Sequence, residues 1–405
     1  MDAVRVPAVA VLAAVLVFSI AGCGKDDESS EATAEDLFQQ GWSYLEDNLS
    51  NEDPGESPPW EWQTDMSVAN RYFENALAED PDHCGALLLS SLTRMLMVLQ
   101  EDELGEIIGD LFPDSASRAG DPMALLLSPV AKPDLRAVRE IVLRWQRDPF
   151  AFSQIQMFIE DQAIPALLIA DARMTRFENA DCSVFVAVDT ERRRRDVTYE
   201  IDATDVYIAH VALDMLQALL HVVVSYDVDI EEGETMQYLV DVDEDFMSLR
   251  PGDNMPGAYG ELVEAAEHLY DAGWSMEHET DPQDNDIFSS SEDEGLFPMG
   301  PEMPGYLMSA ADEVDAALDE GVVLNPWVDS GYEPGAPDID ILIDIETLFM
   351  DPLDPITGYF PQHEWLGAND MHITEPVTLP DPTFNGITPN MTNELWRPVF
   401  DWLDI

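Results

Sequence analysis

Four polar residues interrupt one strongly apolar stretch. His210, Asp214, Gln217 and His221 fall at spacings of four, three and four between Ala203 and Tyr226. On a helix these spacings form a single stripe. Two imidazoles and a carboxylate in line can hold a transition metal or pass protons. The same stripe also suits the wetted face of an otherwise buried helix, or an internal polar seam, and neither needs a ligand. No second helix offers an evident companion set such as Glu-x-x-His. The expectation is therefore no metal site, with His210, Asp214 and His221 the residues that would carry one. Glu264 and His268, four apart, are read the same way.

Other candidate chemistries are weaker. Asp284, Asp286, Glu292 and Asp293 crowd an acidic, Ser-rich loop over 281–294, but the D-x-D-x-D-G order and the closing Glu of a calcium loop are missing. Asp241, Asp243 and Asp245 likewise lack the glycine. Met299, Met303 and Met308 offer soft sulfur for copper, yet Met is ordinarily flexible core filler. There is no phosphate-cradling glycine loop, no G-x-S-x-G and no H-E-x-x-H. Carboxylates are so numerous that pairing any two as acid and base says nothing. An enzyme is not supported, and no cofactor is expected.

The acidity itself is extreme, with 83 Asp and Glu against 18 Lys and Arg and a net charge of -65. Such a surface repels nucleic acid and anionic lipid, so nucleic-acid binding is excluded. The acid is spread along the whole chain, which fits a surface kept hydrated at high salt better than a localised cation trap. Hydrophobic residues make up 46% of the chain, enough for a large core.

At the amino terminus, Arg5 precedes an apolar run from Val6 to Ile20, and Ala21, Gly22 and Cys23 follow. This is the anatomy of an export signal rather than a membrane span. Ile20-Ala-Gly-Cys23 resembles the lipobox of bacterial lipoproteins. The resemblance implies cleavage before Cys23 and its acylation, which would hold the chain on a membrane without spanning it. By the same analogy, Gly24 after the cysteine permits the outer membrane. Residues 1–22 are then a signal peptide and 23–33 a tether. Cys84 and Cys182 remain, in a compartment that allows disulfides; the sequence leaves their pairing open.

The elements behind these residues are mostly helical. Apolar spacing predicts helices over Asp36–Leu49, Ser67–Glu79, Gly85–Leu99, Asp134–Trp145, Asp161–Phe177, Ala203–Tyr226, Tyr259–Gly273 and Gly305–Glu320. Ala69, Phe73, Ala76 and Pro81 match the second helix of a tetratricopeptide repeat, and Gly41 and Tyr44 fit its first. An insert over 50–63 departs from that family's pattern. The resemblance implies stacked antiparallel helix pairs over 34–182 and a concave face that docks protein segments. From 183 to 275 a hairpin and long helices are expected: Val184, Val186 and Val188 alternate, as do Val197, Tyr199 and Ile201, around a tip carrying Arg192 to Arg195. Asp202 is placed to cap the helix that follows. Residues 276–405 are expected to be loop-rich and packed on the helical core, with Ile339–Ile345 a short strand or helix start.

The expected function is a non-catalytic, lipid-anchored binding or assembly factor on the periplasmic side of a bacterial outer membrane, with a protein partner in the envelope. One alternative is nutrient capture for an outer-membrane transporter. The lipid anchor, repeat helices and long loops are similar to glycan-binding lipoproteins of the SusD type, and Trp60, Trp62, Trp327 and Trp365 would be the stacking surfaces. A second alternative is a metal-binding protein or metalloenzyme built on the His210 stripe.

Overall fold

The computed structural model describes residues 33–49, 64–100, 155–180, 182–190, 195–228, 235–243, 245–252, 254–279, 288–289, 297–298, 300–324, 341–367, 370–374, 376 and 378–397. The leader with Cys23, the tether up to residue 32, Trp60, Trp62, the helix expected over Asp134–Trp145, Arg192 to Arg194, Asp284, Asp286, Glu292, Asp293, Met299 and Trp327 lie outside the described residues.

The chain is mainly α-helical, as its periodicity predicts. The first three helices are α1 (Ala34–Leu49), α2 (Met66–Glu79) and α3 (Cys84–Leu99). Asp65 caps α2 by accepting from the Ser67 amide, and Pro81 stands just beyond the C-cap Asp80. Neighbouring helices run antiparallel. Phe38 packs on Phe73 and His83, whereas Gly41 sits under Phe73 and Tyr72. Ala69, Phe73 and Ala76 are buried at this seam, with Leu45 beside them in the same core. A Cβ at Gly41 would lie 2.7 Å from Phe73 Cε1, so the close approach of the two helices requires glycine there. Glu74 on α2 then pairs with Arg94 on α3 at 2.6 Å.

A helical stretch beginning at residue 155 passes through a π turn (Ile159–Ala163) into α4 (Ile164–Asn179). Pro165 has no amide to donate one turn back, and the wider turn relieves its clash there. Arg173 of α4 reaches the same Glu74 at 2.6 Å, tying α2, α3 and α4 together. Cys84 and Cys182 form a disulfide across 98 residues, joining the start of α3 to the exit of α4. The predicted hairpin follows as β1 (Val184–Thr190) and β2 (Arg195–Ile201), antiparallel with Val184 opposite Ile201.

Next come α5 (Ala203–Val224), capped by a reciprocal box between Asp202 and Asp205, the short α6 (Met236–Asp241), and α7 (Asn254–His278). Helix α7 is longer at both ends than its apolar pattern predicts. Helices α5 and α7 are antiparallel: Thr204 bonds Ser275, His210 stacks on His268, and Gln217 meets Glu261. By length and a mean hydropathy of 1.6, α5 could cross a membrane. Its burial against α4 and α7 and its interior charged groups instead mark a core helix.

Helix α8 (Met303–Glu320) packs on α7 through Gly273, where Pro304, Leu307 and Met308 approach closely. The carboxy-terminal part has more regular structure than its prolines predict. Two-residue strands β3 (Phe288–Ser289) and β4 (Phe297–Pro298) run parallel. Strands β5 (Val322–Leu324) and β6 (Ile341–Ile343) pair antiparallel, and Asp344 caps the short α9 (Ile345–Met350), so the Ile339–Ile345 segment is both a strand and a helix start. Strands β7 (His363–Gly367) and β8 (Asp370–Ile373) form a hairpin where none is expected. Residues 393–397 are helical.

Candidate metal centre

Three helices converge on Asp214. Helix α5 contributes His210, Asp214 and Gln217, one or two turns apart on one face. Helix α4 contributes Asp171 and Glu178, seven apart and so also on one face. Helix α7 contributes Glu261, Glu264 and His268 at the same kind of spacing. The stripe on α5 is thus an internal seam and not a wetted face: His210, Asp214 and Gln217 are all buried. The companion set that the sequence does not display comes from two helices at once.

His210 stands between two carboxylates. Its Nδ1 lies 2.9 Å from Glu178 Oε1, and its Nε2 lies 2.8 Å from Asp171 Oδ1 and 3.9 Å from Asp214 Oδ1. The His268 ring stacks on His210 with centroids 3.9 Å apart, and His268 Nδ1 lies 2.8 Å from Asp214 Oδ2. Gln217 Nε2 donates to Glu261 Oε2 at 3.2 Å. Two buried oxygens of this cluster have no hydrogen-bond partner: Asp214 Oδ1 and Gln217 Oε1. An orphaned buried carboxylate oxygen is costly, and one beside a histidine nitrogen awaits a cation or a proton.

The electrostatics match this crowding. Burial opposes a charge on His210, but the hydrogen bonds with Asp171 and Glu178 and the nearby Asp214 charge win, raising it to about 10. Burial raises Asp214 despite the His268 bond. Burial, with the Asp214 and Glu264 charges, lifts Glu261 to about 7. Burial and the charges of Asp214 and Asp171 raise Glu264 too. On α7, Glu261 and Glu264 are held away from their ionised forms by burial first and by the neighbouring negative charges second.

Ligand atoms gather into three sets, each within 4.8 Å: Glu178, His210 and His268; Asp171, His210 and Asp214; and Asp214, Glu261 and Glu264. A tetrahedral ion with bonds of about 2.1 Å needs its ligand atoms about 3.4 Å apart. The two His210 Nε2 distances, 2.8 and 3.9 Å, lie on either side of that value. To admit an ion, Asp171 would draw back from His210 Nε2 and Asp214 would approach it. Glu178 on Nδ1 would then fix the ring with Nε2 turned to the metal, the usual support for a ligating histidine. Imidazole with carboxylate suits zinc, iron or manganese better than magnesium or calcium. Asp214 is fully buried, and Glu264 is exposed.

His221 is not part of this cluster, contrary to its place in the predicted stripe. It lies against Gly257 at the far end of the seam, half-buried, with its own Nδ1 unpartnered. Burial lowers its basicity, partly offset by a bond to Asn254. The other predicted site residues that are described make structural contacts. Asp243 caps a turn by accepting from the Asp245 amide, and Asp241 pairs with His363 at 3.6 Å. Met303 packs on the core and Met308 against Gly273. Trp365 is partly buried beside Leu239 and Phe246 and is no open stacking surface. Gly41, Tyr44, Ala69, Phe73 and Ala76 belong to the α1–α2 packing described above, and Pro81 to the turn after α2.

No protein family, curated protein or solved structure matches this chain.

Proposed function

We propose that the protein is an exported, lipid-anchored carrier of a divalent transition metal, held where α4, α5 and α7 meet. Asp171, His210 and Asp214 bind the ion, Glu178 orients His210, and His268 steadies Asp214. The observation that carries this reading is Asp214 Oδ1, fully buried and unpartnered, 3.9 Å from His210 Nε2. The disulfide between Cys84 and Cys182 supports export, because such bonds persist in oxidising compartments. The lipobox-like residues up to Cys23 supply the anchor in this reading.

A second reading keeps the helices α1 to α3 as a repeat-like platform for an envelope protein partner. It rests on the close α1–α2 packing that Gly41 permits under Phe73. The two readings are compatible, since the platform and the centre use different helices.

The test is metal binding by chelator-stripped protein. The acidic surface collects cations loosely, so titration is done at molar salt, where that background is screened. Saturable zinc or manganese binding is expected in the wild type and in His221→Gln, and its loss in Asp214→Asn. Absence of saturable binding in the wild type, or equal binding in Asp214→Asn, overturns the reading.

A further inference from the structure

We infer that the centre holds two divalent ions bridged by Asp214. This rests on the metal-binding reading above and extends it. Asp171, His210 and Asp214 form one ligand set and Asp214, Glu261 and Glu264 another, and Asp214 is the only residue they share. The first set spans α4 and α5 and the second spans α5 and α7, so they flank Asp214. A carboxylate has two oxygens and can serve one ion with each; such a bridge holds a metal pair about 3.5–4 Å apart.

Two buried atoms point to ligands beyond the protein's own bonds. Asp214 Oδ1 has no partner, although its side chain is wholly buried. Gln217 Oε1 has none either, and the same amide donates from Nε2 to Glu261, a member of the second set. One orphan stands beside His210, and the other is on the residue that holds Glu261. A single ion among Asp171, His210 and Asp214 leaves the Gln217 and Glu261 end of the seam uncompensated.

Charge gives the same count. Asp171, Glu178, Asp214, Glu261 and Glu264 are five carboxylates around His210, which is neutral when it ligates. One dication leaves three negative charges in a partly buried space, and two leave one. Asp171 and Asp214 are hard oxygen ligands beside an imidazole, whereas the second set is all oxygen. The pair is therefore chemically unequal, with the nitrogen-containing position favouring zinc or iron and the oxygen position manganese. Three protein ligands per ion leave coordination positions on the Glu264 side for water or an oxygen-bearing substrate.

Metal content and manganese spin coupling test this. Stripped full-length protein is loaded with manganese at molar salt, passed through a desalting column and assayed for metal per chain, alongside its electron paramagnetic resonance spectrum. The wild type is expected to keep two ions with a spin-coupled spectrum. Glu261→Gln/Glu264→Gln is expected to keep one ion with an isolated six-line signal. Glu264 is exposed, so Glu264→Gln alone endangers folding little; it should weaken only the second ion, by tenfold or more. One ion in both wild type and double variant overturns the bridged pair and leaves the metal reading standing. Two ions in both also overturns it, because the second ion then lies elsewhere. No ion in the wild type overturns both.

Discussion

Removing the Cys84–Cys182 bond should cost the fold several kcal/mol without abolishing the metal centre. The bond closes a loop of 98 residues, and its first effect is on the unfolded chain. In the chain-entropy account, a loop of about 100 residues is worth about 4.7 kcal/mol at room temperature. Measured losses on removing native disulfides run at about 2–5 kcal/mol. The folded state has other reasons to keep α3 and α4 together. Ser91 donates to the Ala170 carbonyl at 3.0 Å, and Leu167, Ala170, Met174 and Phe177 are all buried in the shared core. Glu178 is four residues before Cys182, but its helix is anchored by these contacts rather than by the bond alone. The assay is urea unfolding followed by circular dichroism, comparing the oxidised chain with Cys84→Ser/Cys182→Ser. The midpoint should fall, and metal binding by the folded fraction should stay within a few-fold. A midpoint unchanged from the oxidised chain refutes the reasoning. So does the recovery of two free thiols at Cys84 and Cys182 from unfolded, unreduced protein.

Further outcomes follow from packing and charge. Glu178→Gln removes the charged acceptor on His210 Nδ1 and should weaken metal binding by about 10- to 100-fold, read by isothermal titration; unchanged affinity excludes Glu178 as the orienting group. Gly273→Ala places a Cβ 2.7 Å from the Pro304 carbonyl oxygen, so α8 must shift, at about 1–3 kcal/mol against at most about 1 kcal/mol of gained helix propensity. Gly260→Ala on the same helix meets nothing within 4 Å and should stabilise by up to about 1 kcal/mol, so thermal melts of the two variants should move in opposite directions. Burial opposes ionised Glu74, yet Arg173 and Arg94 outweigh it and hold the carboxyl below its ordinary 4.5. Its folded pKa is depressed, so its contribution is present above pH 4.5 and is lost as pH falls through the folded value. Glu74→Gln should therefore flatten the acid limb of the stability curve below that pH and cost on the order of 1–3 kcal/mol at neutrality.

The helices were legible because their burial patterns are strong. Ala69, Phe73 and Ala76 recur at helical spacing and are all buried on α2, and Asp202 caps α5 where its position predicts. The β1–β2 register, with Val184, Val186 and Val188 opposite Ile201, Tyr199 and Val197, follows the same alternation that marks the hairpin in the sequence. The carboxy-terminal strands were not legible. Strands of three to five residues carry too few alternations to signal themselves, and β7 and β8 are framed by prolines that read as loop. The pairing of Cys84 with Cys182 was also open, because it depends on how α3 meets the exit of α4.

The candidate centre is half legible in the sequence, and the missing half has a physical cause. His210 and Asp214 stand out because α5 is apolar around them: Val211 and Leu213 are core residues, and a carboxylate directly after Leu213 needs a reason. Extending the stripe to His221 was an error of reach. Eleven residues of helix span about 16 Å, far beyond one coordination sphere. Asp171, Glu178, Glu261 and Glu264 could not be singled out among 83 acidic residues, most of which serve the surface. In such a chain, two carboxylates seven apart carry no information by themselves. What separates these four is their position beside apolar partners: Asp171 follows the buried Ala170, Glu178 follows Phe177, Glu261 precedes the partly buried Leu262, and Glu264 precedes Ala265 and Ala266. A carboxylate flanking a core position is forced to the edge of the interior, where the solvent that would hold its charge is partly excluded. Two helices, α4 and α7, place such edges around the buried Asp214 of α5 and concentrate negative charge there. In the reading proposed above, a divalent cation would compensate that charge.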